Sequence, residues 1–168
     1  MNKTKFERYD VSKFNNDELR EFVHEFLWKN RDIRELNLTS WNVSRITNMA
    51  ELFAHAFNLE KIDITGWDTS NVWMMNGLFW RCHKLKEVVG FNTLNLKKVK
   101  YMEAIFRGCV SLEVIDLSNP TLTSLLDIYA AFEGCSSLKY VDITGWTSSL
   151  INEKKAFDNC SKELVVIK

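Results

Sequence analysis

The sequence has no net charge and no long apolar run, and both absences exclude classes of protein. It carries 22 basic and 22 acidic side chains, so no overall electrostatic field draws it to nucleic acid or to an anionic membrane. No run of about 18 consecutive apolar residues is present, so we expect no transmembrane helix. The first residues, MNKTKFERYD, are not followed by the apolar run of a secretory signal. We therefore expect a cytoplasmic protein with no membrane partner.

Cysteines and catalytic motifs are also scarce. Four cysteines are too few for a disulfide-stabilised scaffold, and we interpret them as small apolar side chains of the core. Disulfide bonds or a metal between neighbouring repeats are the alternatives, but a single column of sulfur atoms does not supply the tetrahedron that structural zinc requires. The sequence has no nucleophile elbow, phosphate-binding glycine loop, HExxH or CxxC. We therefore predict a non-enzymatic protein without a cofactor or a metal.

What the sequence does contain is a repeat with a period of about 26 residues, which is the signature of a solenoid. The third copy has one extra residue near Gly90, and glycine forms a bulge most easily. The copies begin at Ile33, Leu59, Leu85, Leu112 and Leu138, and Leu164 begins a partial sixth. Three further columns are apolar in every copy: Leu36, Ile62, Val88, Ile115, Val141 and Ile167; Ile46, Val72, Val99, Leu125 and Ile151; Phe53, Phe79, Phe106, Phe132 and Phe157.

Each copy begins with a short strand, because apolar and polar residues alternate in segments such as KIDIT and VIDLS. Strands that recur once per copy must be parallel. The later segment, such as YMEAIFRGC, is predicted to be a short helix or helical turn whose Met and Phe side chains face the core. Trp41, Trp67 and Trp146 share one column and are predicted to stack, with Leu94 and Pro120 in the two remaining copies.

The N-terminal residues precede the repeat and are predicted to cap it. Residues 1–32 form this capping segment, which contains a helix over residues 16–29 with Asp17 and Glu18 in its first turn, where they suit the helix dipole. Residues 33–168 form the repeat solenoid, whose first turn the helix is expected to cover. The apolar stripe of the helix consists of Leu19, Phe22, Val23, Phe26 and Leu27.

The other end of the solenoid is predicted to self-associate. Polar residues replace the apolar pattern at residues 153–155, and the final strand, predicted over residues 164–167, has no capping segment after it. An uncovered strand is an edge that can pair with another chain. We therefore expect a homodimer that forms through Val165, Val166 and Ile167.

The phrases IDITGWDTSNVWMMNGLFWRCHKL and FEGCSSLKYVDITGW resemble the BspA-type leucine-rich repeat, whose unit reads roughly LxxLDLSxWDTSNVTNMxxMFxGCxSL. The resemblance covers residues 33–167 and departs from the pattern at Leu94, Pro120 and Lys154. It implies an α/β fold: a right-handed, leucine-rich-repeat-like parallel solenoid of about five 26-residue rungs, a partial sixth strand and an N-terminal capping helix. It also implies binding to other macromolecules, and many members of this family are bacterial surface proteins with roles in adhesion.

Two tryptophans are candidates for a binding site because the repeat does not require them. Trp73 and Trp80 occupy outward-facing columns that hold mostly small, polar or charged residues in the other copies. Between residues 81 and 107 there are seven Lys or Arg residues against two acidic residues. Trp73 shares its column with Thr47, Lys100, Leu126 and Asn152. The predicted partner-binding residues are Trp73, Met74, Trp80, Arg81, Lys84, Lys86, Lys97, Lys98, Lys100, Tyr101 and Arg107.

Three interpretations of these residues compete. Exposed Trp, Tyr and Arg are typical of the centres of protein interfaces, which favours binding to another protein. Lysines on phosphates and stacked aromatic rings would instead serve nucleic-acid binding. The third interpretation is a solvated lysine face with no partner. We favour an intracellular binder or inhibitor of another protein, such as a phage or mobile-element protein that blocks a host defence nuclease; the main alternative is a surface module that binds host matrix or glycan.

A column of aspartates on the strands is the remaining candidate for chemistry. Asp63, Asp116 and Asp142 face outward, and Asp116 and Asp142 are expected to lie about 5 Å apart, where like charges raise one pKa. Paired carboxylates can serve acid–base hydrolysis. We favour the alternative of a solvated ladder beside hydroxyl side chains such as Ser118.

Overall fold

The 26-residue repeat folds into about five turns of a parallel solenoid preceded by a helix, as the sequence predicts. The computed structural model describes residues 1–119, 121–146 and 152–167, so Pro120, Ile151 and Lys168 lie outside the described residues. Each repeat supplies one turn of the solenoid, or rung. The elements are α1 (Lys3–Glu7), α2 (Asn16–Lys29), β1 (Glu35–Asn37), β2 (Lys61–Asp63), β3 (Glu87–Val89), β4 (Val114–Asp116), β5 (Tyr140–Asp142) and β6 (Val165–Ile167). No helix in this part of the chain combines the length and apolar content needed to cross a membrane.

The strands pair in parallel, and the middle residue of each strand faces the core. Leu36 lies opposite Ile62, and Ile62 lies opposite Val88, within the sheet β1-β2-β3. Ile115 lies opposite Val141 in the sheet β4-β5-β6. Four of these side chains are buried and Val88 is partly buried against the core, so the alternating pattern of the sequence predicts the inward-facing residues correctly.

The extra residue of the third copy separates the two sheets. Gly90 has a left-handed φ of 86° and is followed by a short 3-10 helix, Phe91–Thr93. A Cβ atom on residue 90 would lie 2.7 Å from backbone atoms of Thr65, so only glycine fits at this close approach. The chain therefore leaves β3 with a local change of direction, and β4 begins a new sheet.

The side of each rung opposite the strand is a run of β-turns, so the prediction of a short helix there is wrong. In the first rung, the N–H groups of Ala54 and Ala56 each donate to the carbonyl three residues earlier. The N–H group between them, that of His55, donates to Trp80 O of the next rung at 2.8 Å, and Phe53 N–H likewise donates to Leu78 O at 2.9 Å. A helix would need every N–H for bonds within the segment. Left-handed residues such as His55, with a φ of 62°, close the turns and do not fit a helix.

Two columns of aromatic rings run through the core. Trp41 and Trp67 stack with centroids 6.3 Å apart and ring planes 4° apart, as the sequence predicts. The phenylalanine rings of successive rungs stack with centroids 5.3 to 5.7 Å apart, in the order Phe53, Phe79, Phe106, Phe132 and Phe157. Each fully buried phenylalanine contributes roughly 1.5–3 kcal/mol by its removal from water. Because the columns cross the rungs, each rung is stabilised mainly by its neighbours.

Helix α2 covers the first rung, in agreement with the predicted capping helix. Asn15 and Glu18 form a capping box at its start, with the Asn15 side chain accepting from backbone N–H groups of the first turn. Leu19, Val23 and Phe26 are buried against the rung. The apolar stripe of the sequence therefore faces the core, and the helix closes the N-terminal end of the solenoid.

Polar side chains of the N-terminal segment take the place of a preceding rung. The Asn16 Oδ1 atom accepts a hydrogen bond of 2.9 Å from the N–H of Thr47. The Glu7 carboxylate accepts one of 2.7 Å from the N–H of Asn37 in β1. In later rungs the equivalent N–H groups are bonded to the neighbouring rung. The capping segment thus satisfies an edge that would otherwise be open for pairing.

The last rung is one residue shorter than the sequence repeat suggests, and this changes the register of β6. The backbone of Asp127 pairs with Asn152, and Val141 lies opposite Val166. Two expectations are therefore wrong: Ile167 does not lie opposite Val141, and Asn152 does not share the Trp73 column. From the sequence alone, the missing residue can be placed at several positions of the polar segment in the last copy. The structure places it so that Val166 faces inward.

Candidate functional site

The predicted partner-binding residues form two aromatic clusters and a set of dispersed cations. The first is the Trp73 cluster, which consists of Trp73, Met74, Lys100 and Tyr101. The rings of Trp73 and Tyr101 meet edge-to-face with centroids 6.0 Å apart. The N–H of Lys100 donates to the carbonyl of Trp73 at 2.9 Å, which places the lysine on the adjacent rung beside the indole. Trp73 is 39% exposed, so the cluster presents a large apolar surface next to a cation.

The second is the Trp80 cluster, which consists of Trp80, Arg81, His55, Phe57 and His83. The ring centroids of Trp80 and His55 are 4.8 Å apart, and the guanidinium carbon of Arg81 lies 5.0 Å from the Trp80 ring centroid. These distances are in the range of aromatic and cation–π contacts. Phe57 contacts the rings of His55 and His83 at 5.4 and 5.2 Å. No ring contact joins this cluster to the Trp73 cluster within the described part of the chain. The predicted residues Trp73 and Trp80 therefore belong to two separate groups of contacting rings.

The remaining predicted cations are dispersed, and several already have partners. Lys86 pairs with Glu60 at 2.7 Å, and Arg107 pairs with Glu133 at 3.1 Å. Lys98 donates a hydrogen bond to a neighbouring amide side chain at 2.9 Å. Of the predicted lysines, Lys84, Lys97 and Lys100 are exposed and have neither an ion pair nor a side-chain hydrogen bond within the described residues. The fold brings the aromatic residues together but does not gather the lysines into one groove.

The backbone of the Trp80 cluster adopts a conformation that favours glycine. His55 and Arg81 have φ values of 62° and 58°. In the next two rungs the same column holds Gly108 and Gly134, with φ values of 74° and 77°. A residue with a Cβ in the left-handed region costs about 1 kcal/mol or more relative to glycine. The first two rungs therefore keep a histidine and an arginine where the fold prefers glycine.

An apolar cavity of about 410 Å³ lies between α2 and the β-turn side of the first rung, next to the Trp80 cluster. Trp28 lines it from the helix and is 71% exposed, and Phe57 lines it from the rung and is 46% exposed. The Arg31 guanidinium lies 3.9 Å from the centroid of the Trp28 ring. Sequence reasoning missed this cavity, because Trp28, Phe57 and His55 belong to different segments. The signal that could have revealed it is the replacement of the column's glycines by His55 and Arg81.

The charged groups at the cavity include Arg31, which lines it, and Arg81 and Glu51, which act on His55 at its rim. Burial lowers the pKa of His55, the positive charge of Arg81 lowers it further, and the carboxylate of Glu51 acts in the opposite direction. The Nε2 atom of His24 lies 2.8 Å from the carbonyl oxygen of Glu51, which connects α2 to the first rung. His55 is thus held towards its neutral form at the rim of the cavity.

The cysteine column has a role that its spacing did not reveal. Each thiol donates a hydrogen bond to the carbonyl of a phenylalanine in the preceding rung, as in Cys82 Sγ to Phe53 O at 3.1 Å. All four cysteines are free thiols, so the disulfide alternative is wrong. Burial raises the pKa of Cys82 and of Cys135 to about 12. These thiols therefore act as buried hydrogen-bond donors with little tendency to form thiolates.

The aspartate column serves the turns that follow the strands. Asp116 lies opposite Asp142, as expected. The Asp116 carboxylate accepts hydrogen bonds from the hydroxyl and the N–H of Ser118, at 2.6 and 2.9 Å, and from Asn92 at 3.0 Å. These bonds lower the pKa of Asp116, the hydroxyl of Ser118 most of all. The expectation of a raised pKa is therefore wrong for Asp116.

The predicted self-association residues lie on the last strand with alternating orientation. Val165 is 51% exposed and Ile167 is exposed, whereas Val166 packs against the core. Val165 lies opposite Tyr140, and Tyr140 lies opposite Val114. All three side chains are exposed and form an apolar row across β4, β5 and β6. Within the described residues, the outer edge of β6 pairs with no other strand.

These features define a class of protein: a parallel repeat solenoid that presents aromatic clusters on its β-turn side. The family model described as "Mycoplasma protein of unknown function, DUF285" matches residues 1–119 and 57–165. The chain belongs to this family. The two matched ranges overlap over residues 57–119, as expected when a repeat can be aligned in more than one register. No curated protein and no solved structure matches the chain.

Proposed function

We propose that the chain is a non-enzymatic solenoid that binds another protein through the Trp73 cluster. The observation that carries this proposal is the exposed Trp73 ring, which meets Tyr101 edge-on beside Lys100. Trp and Tyr dominate the binding energy of many protein interfaces, because a large rigid ring is desolvated at little entropic cost. Neither aromatic ring is needed to fill the core, since each lies outside the buried columns.

The resemblance to BspA-type leucine-rich repeats supports the same proposal. Repeats of that type imply a surface that recognises macromolecules, and here Trp67, Phe79 and Cys82 of the second copy carry the resemblance. We propose further that the protein acts in the cytoplasm as a binder or inhibitor, for example one from a phage or mobile element that blocks a host defence nuclease. Four free thiols suit a reducing compartment.

Two other functions remain as alternatives with observations of their own. The exposed Lys97 and Lys100 favour nucleic-acid binding, which weakens steeply as salt is raised. The exposed Trp73 ring would also suit an adhesin-like module that stacks on a sugar of host glycan or matrix. The three functions differ in the chemical nature of the ligand, so one experiment separates them.

The experiment is an affinity pull-down from bacterial lysate with the wild type and the Trp73→Ala variant, with and without nuclease. Tyr9→Ala is the matched control, because Tyr9 is an aromatic residue of the capping segment with the same exposed fraction, 39%, as Trp73. A protein that is recovered after nuclease treatment, lost with Trp73→Ala and kept with Tyr9→Ala supports the proposal. Recovery of nucleic acid that disappears at high salt contradicts it, and so does a capture that Trp73→Ala leaves unchanged.

We also propose that β6 pairs with β6 of a second copy to form a homodimer. The support is the row of Val114, Tyr140 and Val165, which leads to the open edge of β6. Edge charges are a common way to prevent such pairing. Val165→Lys should therefore give a monomer, as measured by light scattering, whereas Thr123→Lys, at a site away from the strands, should not. A dimer that persists in Val165→Lys would contradict this arrangement.

A further inference from the structure

We propose that the cavity between α2 and the first rung is a second binding site, which takes an apolar side chain from an acidic segment of a partner protein. The cavity volume of about 410 Å³ lies within the range of roughly 300–1,000 Å³ that is typical of ligand pockets. Its walls are largely apolar, with Leu27 and Ile33 on one side and Ala54 and Ala56 on the other. Such walls suit an aliphatic or aromatic side chain.

The two aromatic residues that line the cavity are poorly covered by the protein itself. Trp28 and Phe57 remain 71% and 46% exposed, whereas the rings of the phenylalanine column are packed in the core. A large apolar side chain left in water forgoes the stabilisation that burial would give. A partner segment seated between Trp28 and Phe57 would cover both rings, as is typical of an interface centre.

The charge of the cavity selects an acidic partner. Among the described residues that line it, Arg31 carries a positive charge and none is an aspartate or glutamate. The Arg31 guanidinium stacks on Trp28 and has no ion pair within the described residues. Arg81, close enough to lower the pKa of His55, adds a further positive charge at the rim. An acidic segment would pair with these cations while its apolar side chain enters the cavity.

Two non-glycine residues beside the cavity occupy a left-handed conformation that favours glycine. His55 and Arg81 occupy the left-handed positions that Gly108 and Gly134 occupy in later rungs. Here the two strained residues flank Trp80 at the edge of the cavity. Their side chains face the partner that the cavity would bind.

The test is selection from a random-peptide display library on the immobilised full chain, followed by affinity measurement with the enriched peptides. We expect acidic peptides that contain Trp, Phe or Leu. Trp28→Ala and Phe57→Ala should each weaken their binding about tenfold or more, because each removes an anchor of the site. Arg31→Glu should abolish the preference for acidic residues. Both lining aromatic residues are exposed, so their variants should fold, which circular dichroism verifies.

The matched control is Trp73→Ala, which removes an exposed tryptophan from the other cluster. Unchanged peptide affinity in Trp73→Ala shows that the peptides do not bind at the Trp73 cluster. The two proposals are therefore tested separately, because the pull-down tests the Trp73 cluster and the peptide selection tests the cavity. Enrichment of basic or uncharged peptides, no enrichment at all, or equal binding by Trp28→Ala would overturn the proposal. A single-stranded RNA oligonucleotide that binds with the same dependence on Trp28 and Arg31 would also overturn it.

Discussion

The indole N–H of Trp67 donates a hydrogen bond of 2.9 Å to the carbonyl oxygen of Leu38 in the preceding rung. Both side chains are buried, and the Trp67 ring stacks on Trp41. Trp67→Phe removes this hydrogen bond and part of the ring volume. We expect the free energy of unfolding to fall by about 1–3 kcal/mol, as measured by urea denaturation.

The control for this substitution is Trp28→Phe, because Trp28 is exposed and lies outside the core. The same exchange there should alter the free energy of unfolding by less than about 0.5 kcal/mol. Similar losses in the two variants would mean that the hydrogen bond between rungs does not matter for stability.

Gly90 and Gly108 share a left-handed backbone but differ in the space around them. A Cβ on residue 90 would lie 2.7 Å from the backbone of Thr65, whereas one on residue 108 would lie 3.5 Å from the side chain of Arg81. Gly108→Ala should cost about 1 kcal/mol, from its φ alone. Gly90→Ala should cost a further 1–3 kcal/mol or so from overpacking. Urea denaturation compares the two, and equal costs would show that the chain near Thr65 relaxes.

The stability of the protein should depend on pH through His55. Its pKa is lowered by burial and by Arg81, against the effect of Glu51, so the folded state binds fewer protons than the unfolded state as the pH falls below 6.5. The stabilisation from neutral His55 is complete above that unfolded pKa and is lost as the pH falls through the lower folded pKa. The comparison is with His55→Gln.

Urea denaturation at several pH values between about 5 and 8 measures this effect, because histidine changes charge in that range. The wild type should lose more stability on acidification than His55→Gln, which keeps the other two histidines. If the two proteins lose stability in parallel, His55 is not the residue responsible.

The cysteines should differ in reactivity according to their burial. Cys82, Cys109 and Cys135 are buried, and burial raises the pKa of each thiol. Cys160 is half-buried, and burial raises its pKa as well, but its sulfur is more accessible. Iodoacetamide labelling followed by mass spectrometry should modify Cys160 first and the other three only in denaturant. Early modification of Cys82 would contradict the packing of the column.

Sequence alone predicted the parts of the fold that depend on simple periodicity. Leu36 and Ile62 recur one period apart and face inward on neighbouring strands, as the alternation requires. The spacing of Met49 and Phe53 led to the wrong prediction of a short helix. Residues four apart lie on one face of a helix, and they also lie on one face of this run of turns. What separates the two is the destination of the N–H groups, and half of those donate to the next rung. Whether an N–H group donates within its rung or to the next rung depends on tertiary contacts, and no local sequence pattern indicates it.

The candidate site was predicted only in part, for a related reason. Trp73 and Trp80 stood out because they break columns of the repeat. Trp28 lies in the capping helix, outside the repeat. It has no equivalent positions in other copies with which it could be compared. The cavity arises only where that helix meets His55 and Phe57 of the first rung, and the contact depends on how the cap is oriented.

The alternation of backbone hydrogen bonds along the β-turn side has a consequence for how such a gene can change. On the β-turn side, successive rungs present equivalent donors and acceptors to their neighbours, so one copy can replace the next there as a backbone connector. Unequal crossing-over between two copies would add or delete a whole rung in frame while leaving the capping helix and the last strand intact. Such crossing-over would change the number of rungs, and each new copy would then be available to acquire its own outward-facing side chains.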